Sequence, residues 1–400
     1  MDLTGGYPYW LIRSGLPFDY NVLQKNIEVD VAIIGGGISG ALAAYFLSEA
    51  GIECAVFDRR TIGLGSTAAS TSLLQYELDM GLSKLNKTIG QFKAALAYKC
   101  GVEAIAKLQA ISKKIKFNEM ELCKSLYFSA TKKDVSFLEK EFEARKEIGL
   151  KVKLLKGREI YKYAGFHAEA AILSSTAAQT NAYKLTHQLL QYCIVKGVKV
   201  YDRTNVKNIQ HGKSKVLFEA GEGFKVNAGF IVYATGYEAI DFIEKGIVKL
   251  QSTYALSSEQ FIKNPLPLRE PMVIWNTADP YLYMRCTKDN RILVGGRDEP
   301  YYDPKKRDAL MEKKTRLLSR DFKKLFPTIE MKPEFSWCGT FNTTKYALPL
   351  IGNYKKLQNS FFALGYGGNG ITFSLIAAEI LKDSITGKKN KYQSLFSFDR

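Results

Sequence analysis

The spacing of apolar positions changes abruptly near residue 35. Residues 29–34 are a nearly continuous β-branched run of strand length, while Ile38, Leu42, Tyr45 or Phe46, and Ala50 fall along one face of a helix. Gly51 closes that helix, and residues 52–57 form a second strand-like run ending at Asp58. The pattern predicts a βαβ unit within about 30 residues. Residues 29–47 are apolar enough to suggest a membrane span, but Asp30 and four glycines (Gly35, Gly36, Gly37, Gly40) interrupt them.

Further along, residues 125–128 read as a strand and 135–148 as a charged helix closing on Gly149. Residues 183–196 read as a helix ended by Gly197, followed by strand-like runs at 198–201, 216–218 and 230–234. Strand character dominates 250–300, including 281–284 and 291–294. Residues 308–325 predict one amphipathic basic helix, and 371–386 a last helix with a left-handed cap at Gly387. Residues 1–26 are aromatic and turn-rich and read as an arm wrapping the domain surface.

Length and composition narrow the class. Four hundred residues favour two domains, and 46% apolar with 24% charged residues is ordinary globular usage. Six scattered cysteines without a CxxC pair and only three histidines speak against a zinc site or a disulfide framework. The first residues lack the basic segment of a signal peptide, so the expectation is a soluble, cytoplasmic protein of a reducing compartment with no stable membrane insertion.

The chemistry enters at Gly35-x-Gly37-x-x-Gly40, between the first strand and its helix. Gly35 permits a tight turn, Gly37 lets the backbone approach a pyrophosphate, and Gly40 lets helix and strand pack closely. Free N–H groups at the helix start, including those of Ile38 and Ser39, suit phosphate oxygens. Asp58 can accept from ribose hydroxyls, with Arg59 beside it. Three features favour FAD over NAD. The small-residue loop 63–71, with Gly65, Ser66 and Thr67, can pass under a pyrophosphate and reach a flavin. Residues 231–236 form an apolar strand ending in Ala234, Thr235 and Gly236, which lets backbone approach a cofactor. Residues 365–371 (with Gly367, Gly368, Asn369, Gly370 and Ile371) open the last helix, whose N-terminal dipole can stabilise an anionic reduced flavin.

Residues 30–40, the 63–66 loop, 234–236 and 291–296 resemble the glycine oxidase/D-amino-acid oxidase superfamily of FAD-dependent oxidoreductases. The likeness resumes at 337–339, 348–352 and 365–371. The aromatic N-terminal arm and residues 395–400 look most like the γ-glutamylputrescine oxidase-like branch. The resemblance implies an α/β fold: a Rossmann-like FAD-binding domain from 27–100, 170–245 and 340–390, and an interleaved mixed β-sheet substrate domain from 101–169 and 246–339. Residues 1–26 would be an arm and 391–400 a tail. Val206 and Gly339 join the cofactor-binding set on the same basis. The implied activity is oxidation of a C–N bond of a small amine or amino acid, with hydride passing to flavin N5. Imine hydrolysis and reoxidation by oxygen or another acceptor would follow.

The sequence departs from the family pattern in places. Amino-acid oxidising members carry a carboxylate-gripping Arg two residues beyond the position of Gly339, where this chain has Phe341. Arg285 is the candidate substitute, with a strand-end surface charge as the alternative; Tyr283 and Tyr254 are candidates for the roof, and Gln75 for the ring face. Trp337 reads as core or as a packing residue near the ring. Members that attach flavin covalently use a Cys at the position of Gly339; Cys338 is one residue off, which on a strand reverses the side chain, so non-covalent FAD is expected.

The formal net charge is +17. Residues 99–163 hold 16 Lys/Arg against 9 Asp/Glu, and 305–324 hold 9 against 3. Lysines alternate with glutamates and no aromatics interleave as stacking platforms, which argues against nucleic acid as a partner. Two rival functions remain at this level: a glycerol-3-phosphate-type FAD dehydrogenase at a membrane surface, and a basic tRNA-modifying flavoprotein.

Overall fold

The computed structural model describes residues 1–244 and 246–400. Strand Ile27–Ile34 lies between Phe224–Tyr233 and Cys54–Phe57, parallel to both, and Ser360–Leu364 and Lys199–Tyr201 extend the parallel array outward. Leu350–Asn353 adds an antiparallel edge, and Val216–Ala220 and Val206–His211 continue from Phe224–Tyr233. Both faces of this sheet are covered, which explains the unbroken apolar run at its centre. Val31, Ile33 and Val56 face helices Ile38–Glu49, Gln91–Lys114, Ala182–Val195 and Gly370–Ile385. Ala32, Ile34, Ala55 and Phe57 face the other way, with Val216 and Phe218.

A second, mixed sheet runs in the order Thr4–Gly6, Pro333–Thr343, Lys249–Ser258, Ile292–Glu299, Tyr283–Cys286, Met272–Asn276, Glu121–Phe128, Ala170–Gln179, Leu73–Gln75. Only Met272–Asn276 with Glu121–Phe128 is a parallel pair among these. Leu73–Gln75 and Ala170–Gln179 come from segments assigned by sequence to the cofactor domain, so the division between the sheets falls elsewhere than expected.

Other expectations shift for identifiable reasons. The arm is not a surface wrap: Thr4–Gly6 pairs with Pro333–Thr343, and Tyr9 and Trp10 are 2% and 1% exposed. The basic helix is two, Pro304–Ala309 and Met311–Leu325, separated by a turn residue at Leu310; the first is capped by the Asp303 side chain. Lys314, Leu318 and Phe322 form the buried face of the second. The 24-residue helix Gln91–Lys114 was not anticipated, because Ala94, Ala97, Gly101 and Ala104 make up much of its buried stripe. Small residues weaken the helical hydrophobic signal. Among the described residues no helix is long and apolar enough to cross a membrane, and the six cysteines are free and buried.

His187 is fully buried between Tyr20, whose hydroxyl is 2.9 Å from Nδ1, and the edge of Tyr183. Burial pushes its pKa down from 6.5 to about 4. The folded protein therefore binds fewer protons than the unfolded chain between those values. The stability of the neutral ring is complete above pH 6.5 and is lost as pH falls towards 4. Urea unfolding across this window is expected to show a falling midpoint, and His187→Phe should flatten that slope.

Candidate active site

The parallel strands end at one cavity of about 350 Å³, lined at its floor by Ile34, Phe57, Ala234 and Leu364. Their carboxyl ends are where open α/β sheets place ligands. Gly35 turns with φ +111°, and a Cβ there would lie 2.4 Å from the Ala234 carbonyl oxygen, so only glycine fits. Gly40 lies behind the wall: a Cβ would meet the Gly35 oxygen at 1.8 Å, so glycine lets the helix rest on the turn. Gly37 is the N-cap of Ile38–Glu49, with ordinary φ −81° and no side-chain cap, and it lines the cavity with Ile38 and Ser39.

Asp58 accepts from the backbone N–H of Gly36 at 2.7 Å and of Arg60 at 2.8 Å. Burial raises its pKa against the pull of those hydrogen bonds. Arg59 and Arg60 both donate to Glu238, which burial would raise but which the Arg60 hydrogen bond and the neighbouring cations hold low. Thr204, Asn205 and Val206 complete this end.

Loop residues Gly65, Ser66 and Thr67 pass along the wall, and the Thr67 hydroxyl accepts from the Ile38 N–H at 3.0 Å. Two buried indoles hold the loop from behind: Trp10 Nε1 donates to the Ser70 oxygen at 2.6 Å and Trp337 Nε1 to the Ala69 oxygen at 2.8 Å. Trp337 is therefore a loop clamp outside the cavity lining. Opposite, Gly365, Gly367, Gly368, Gly370 and Ile371 line the cavity. Asn369 does not; its side chain donates to the Glu77 oxygen at 2.6 Å and fixes the turn. Helix Gly370–Ile385 begins without a side-chain cap, and Ser374 on it meets Ser39 at 2.7 Å between hydroxyl oxygens. The two uncapped helix starts thus converge on one space.

The roof comes from the mixed sheet: Thr253, Tyr281, Tyr283, Asp298, Gly339, Phe341 and Asn342. Gly295 makes room for Tyr283, because a Cβ there would lie 2.3 Å from its hydroxyl. Gly368 does the same for Tyr281, at 2.5 Å. The Tyr281 hydroxyl donates to Asp79 Oδ1 at 3.3 Å, and Asp79 Oδ2 accepts from the Gly368 N–H at 3.1 Å. Asp79 stands at the rim, open to solvent on one side; its enclosure on the other raises its pKa against the Gly368 hydrogen bond.

Arg285 is not in this lining. Its guanidinium is 2% exposed and donates to the oxygens of Thr71 (3.0 Å), Gln179 (3.1 Å) and Thr180 (2.8 Å), lying 5.2 Å from the Trp10 ring centroid. Tyr283, two residues earlier on the same face, does reach the cavity; the 70–72 loop covers the next side chain along. Tyr254 is packed in the core with the Lys314 ammonium over its ring, and Cys338 Sγ is 3.2 Å from Asp308 Oδ1. Gln75 lines the cavity. Arg60, Tyr237, Glu238, Tyr281 and Asp298 were not singled out from the sequence, although Arg60 lies two residues past Asp58 and Asp298 two past Gly296.

The residues present suit a dinucleotide. Beside the glycine cradle and the uncapped helix starts, Ser66 Oγ, Thr235 Oγ1 and Asn342 Oδ1 are buried at the wall with no partner. Buried polar atoms are ordinarily satisfied, so these await a ligand. The chain belongs to the FAD dependent oxidoreductase family, which it matches over residues 30–384. It is a flavoenzyme with an oxidoreductase's cofactor, FAD. Among its relatives, the gamma-glutamylputrescine oxidoreductase of Escherichia coli (strain K12) is 24% identical over 390 residues, covering 94% of this chain and 88% of that protein. The fold is shared with the crystal structure of L-proline dehydrogenase from P. horikoshii (TM-score 0.79, 19% identity, covering 94% of this chain and 97% of that one). It is shared equally with glycine oxidase from Geobacillus kaustophilus (TM-score 0.78, 20% identity, 93% and 99%).

Proposed function

We propose that this chain oxidises a C–N bond of a small amine or amino acid. The observation that carries the reading is the convergence of residues 35–39, 65–67, 234–236 and 365–371 on one cavity roofed by a second sheet. When bound, FAD supplies the two-electron acceptor that takes hydride from the substrate carbon at N5. Gly35, Gly37, Ser66 and Thr67 would cradle the pyrophosphate, Asp58 would accept from the ribose, and the 367–371 turn would lie against the flavin. Tyr281 and Tyr283 would close over the substrate and exclude water. The imine then hydrolyses, and oxygen or another acceptor completes the cycle. Attachment is non-covalent on this reading, since no cysteine or histidine is among the described lining residues.

The test is direct. Purified protein should be yellow, bleach anaerobically with an amine or amino acid, and release all its flavin as FAD on acid precipitation. Colourless protein that stays colourless with added FAD would overturn the reading.

A further inference from the structure

Resting on that reading, the roof narrows the substrate. Asp298 lines the cavity, yet its Oδ1 is shut off from solvent and accepts no hydrogen bond. Uncompensated carboxylate oxygens in such a place are costly unless a donor or cation arrives. Around it stand Tyr281 and Tyr283, with ring centroids 5.8 Å apart and planes at 52°, and Tyr237 on the adjoining wall. Asp79 adds a second carboxylate at the rim through the Tyr281 hydroxyl. Faces of tyrosine rings attract ammonium groups, the more so when water is excluded.

The counter-charges are elsewhere. Among the described lining residues the cations are Arg59 and Arg60, and both are tied to Glu238. Lys314 is the cation whose charge reaches Asp298, but its ammonium is committed to the Arg297 oxygen and Glu299. Asp279 and Asp79 add negative charge to the same region. Arg285 is spent on the backbone oxygens of Thr71 and Thr180 and on the Gln179 side chain, and Phe341 occupies the wall. A substrate carboxylate would meet carboxylates and phenols here, with no guanidinium to grip it.

We propose that Asp298, with Tyr281, Tyr283 and the rim carboxylate of Asp79, is a subsite for an ammonium group, so the substrate is a cationic amine without a carboxylate beside the reacting carbon. The ammonium is either the reacting nitrogen before it loses its proton or a second nitrogen of a diamine. Burial raises Asp298 to about 6 against the pull of the Thr253 hydroxyl, with Asp79 adding to the rise, so it is ionised at about pH 8, where the subsite should be tested.

The experiment uses the holoprotein. Tetramethylammonium, a cation whose nitrogen has no lone pair to support hydride loss, is titrated against the flavin absorption spectrum at about pH 8, with propionate as the anionic counterpart. Tetramethylammonium should perturb the spectrum and protect against thermal unfolding, and propionate should do neither. Asp298→Asn should weaken tetramethylammonium binding about 10-fold or more, with flavin content and melting temperature unchanged. Asp79→Asn, at the open rim, should weaken it by a smaller factor and serves as the second variant if Asp298→Asn loses flavin. In turnover, 1-aminobutane and 1,4-diaminobutane separate the two sources: a KM lower for the diamine assigns the subsite to the non-reacting nitrogen, equal values to the reacting one. Tighter binding of propionate, unchanged binding in both variants, or no cation effect up to about 50 mM would overturn the inference. Bleaching by an amino acid in that case leaves the amine-or-amino-acid reading standing, whereas absence of flavin removes the reading itself.

Discussion

Arg145→Met is expected to lower the unfolding free energy by about 3–5 kcal/mol, the cost of stranding buried charges. Arg145 is 1% exposed and sits between Glu141, whose Oε1 is 2.9 Å from Nε, and Glu77, whose Oε1 is 3.3 Å from Nη1. The rings of Tyr76, Tyr98 and Tyr127 lie 5.6–5.9 Å from the guanidinium carbon. Methionine fills similar space but leaves two enclosed carboxylates facing each other. Burial alone would raise Glu141, and in the native protein Arg145, with the Ser83 and Leu82 N–H groups, holds it low. Without Arg145 the pKa of Glu141 rises above that of the unfolded chain, and that of Glu77, which burial already raises in the native protein, climbs further. The folded variant then binds more protons than the unfolded one, so its stability deficit should be larger at pH 8 than at pH 5. Urea titrations of the two proteins at both pH values measure this, and a deficit below about 1 kcal/mol, or one independent of pH, would refute it. The cluster also touches the site: Asn369, at the start of the last helix, donates to the Glu77 backbone oxygen. Some loss of bound flavin should accompany the loss of stability.

The second large effect is confined to the cofactor. Gly37→Val keeps a backbone conformation open to any L-residue, since φ is −81°, but its Cβ would stand 2.9 Å from the Thr67 hydroxyl and its methyls in the pyrophosphate cradle. FAD affinity should fall about 100-fold or more, equivalent to about 3 kcal/mol, with far-ultraviolet circular dichroism preserved. Equilibrium dialysis of the apoprotein with FAD gives the number. Undiminished binding would mean that the phosphates lie elsewhere. Gly35→Ala is the useful contrast. There positive φ and the Ala234 oxygen at 2.4 Å make the fault one of folding, so solubility should fall together with flavin.

The difference between what sequence revealed and what it concealed follows the range of the interactions. Gly35, Gly37, Gly40 and Asp58 lie in one short βαβ unit whose geometry is set by neighbours in the chain, and their spacing expresses it. The roof depends on strand pairing across hundreds of residues. Asp79, Tyr281 and Asp298 meet because Leu73–Gln75, Tyr283–Cys286 and Ile292–Glu299 belong to one sheet, and no local spacing encodes that. Arg285 illustrates the risk of stopping at alternation. Parity places it on the face of Tyr283, but only the folded chain shows the 70–72 loop lying over it. Helix Gln91–Lys114 was hidden for a different reason, since Ala94, Ala97, Gly101 and Ala104 dilute the apolar signal of Tyr98, Ile105, Leu108 and Ile111 on its buried face. The amphipathic basic segment was legible as helix but not as two, because nothing in the apolar pattern marks the turn at Leu310.

The hydrogens of Gly295 and Gly368 have a consequence for selectivity. Each stands where a single methyl would collide with a tyrosine hydroxyl, Gly295 against Tyr283 and Gly368 against Tyr281. The girth of molecule admitted is thus governed by two backbone positions that never need touch it. An alanine at either would force its tyrosine to swing and redraw the chamber's outline, and at Gly368 the methyl would also press on Asp79 Oδ1, 2.9 Å away.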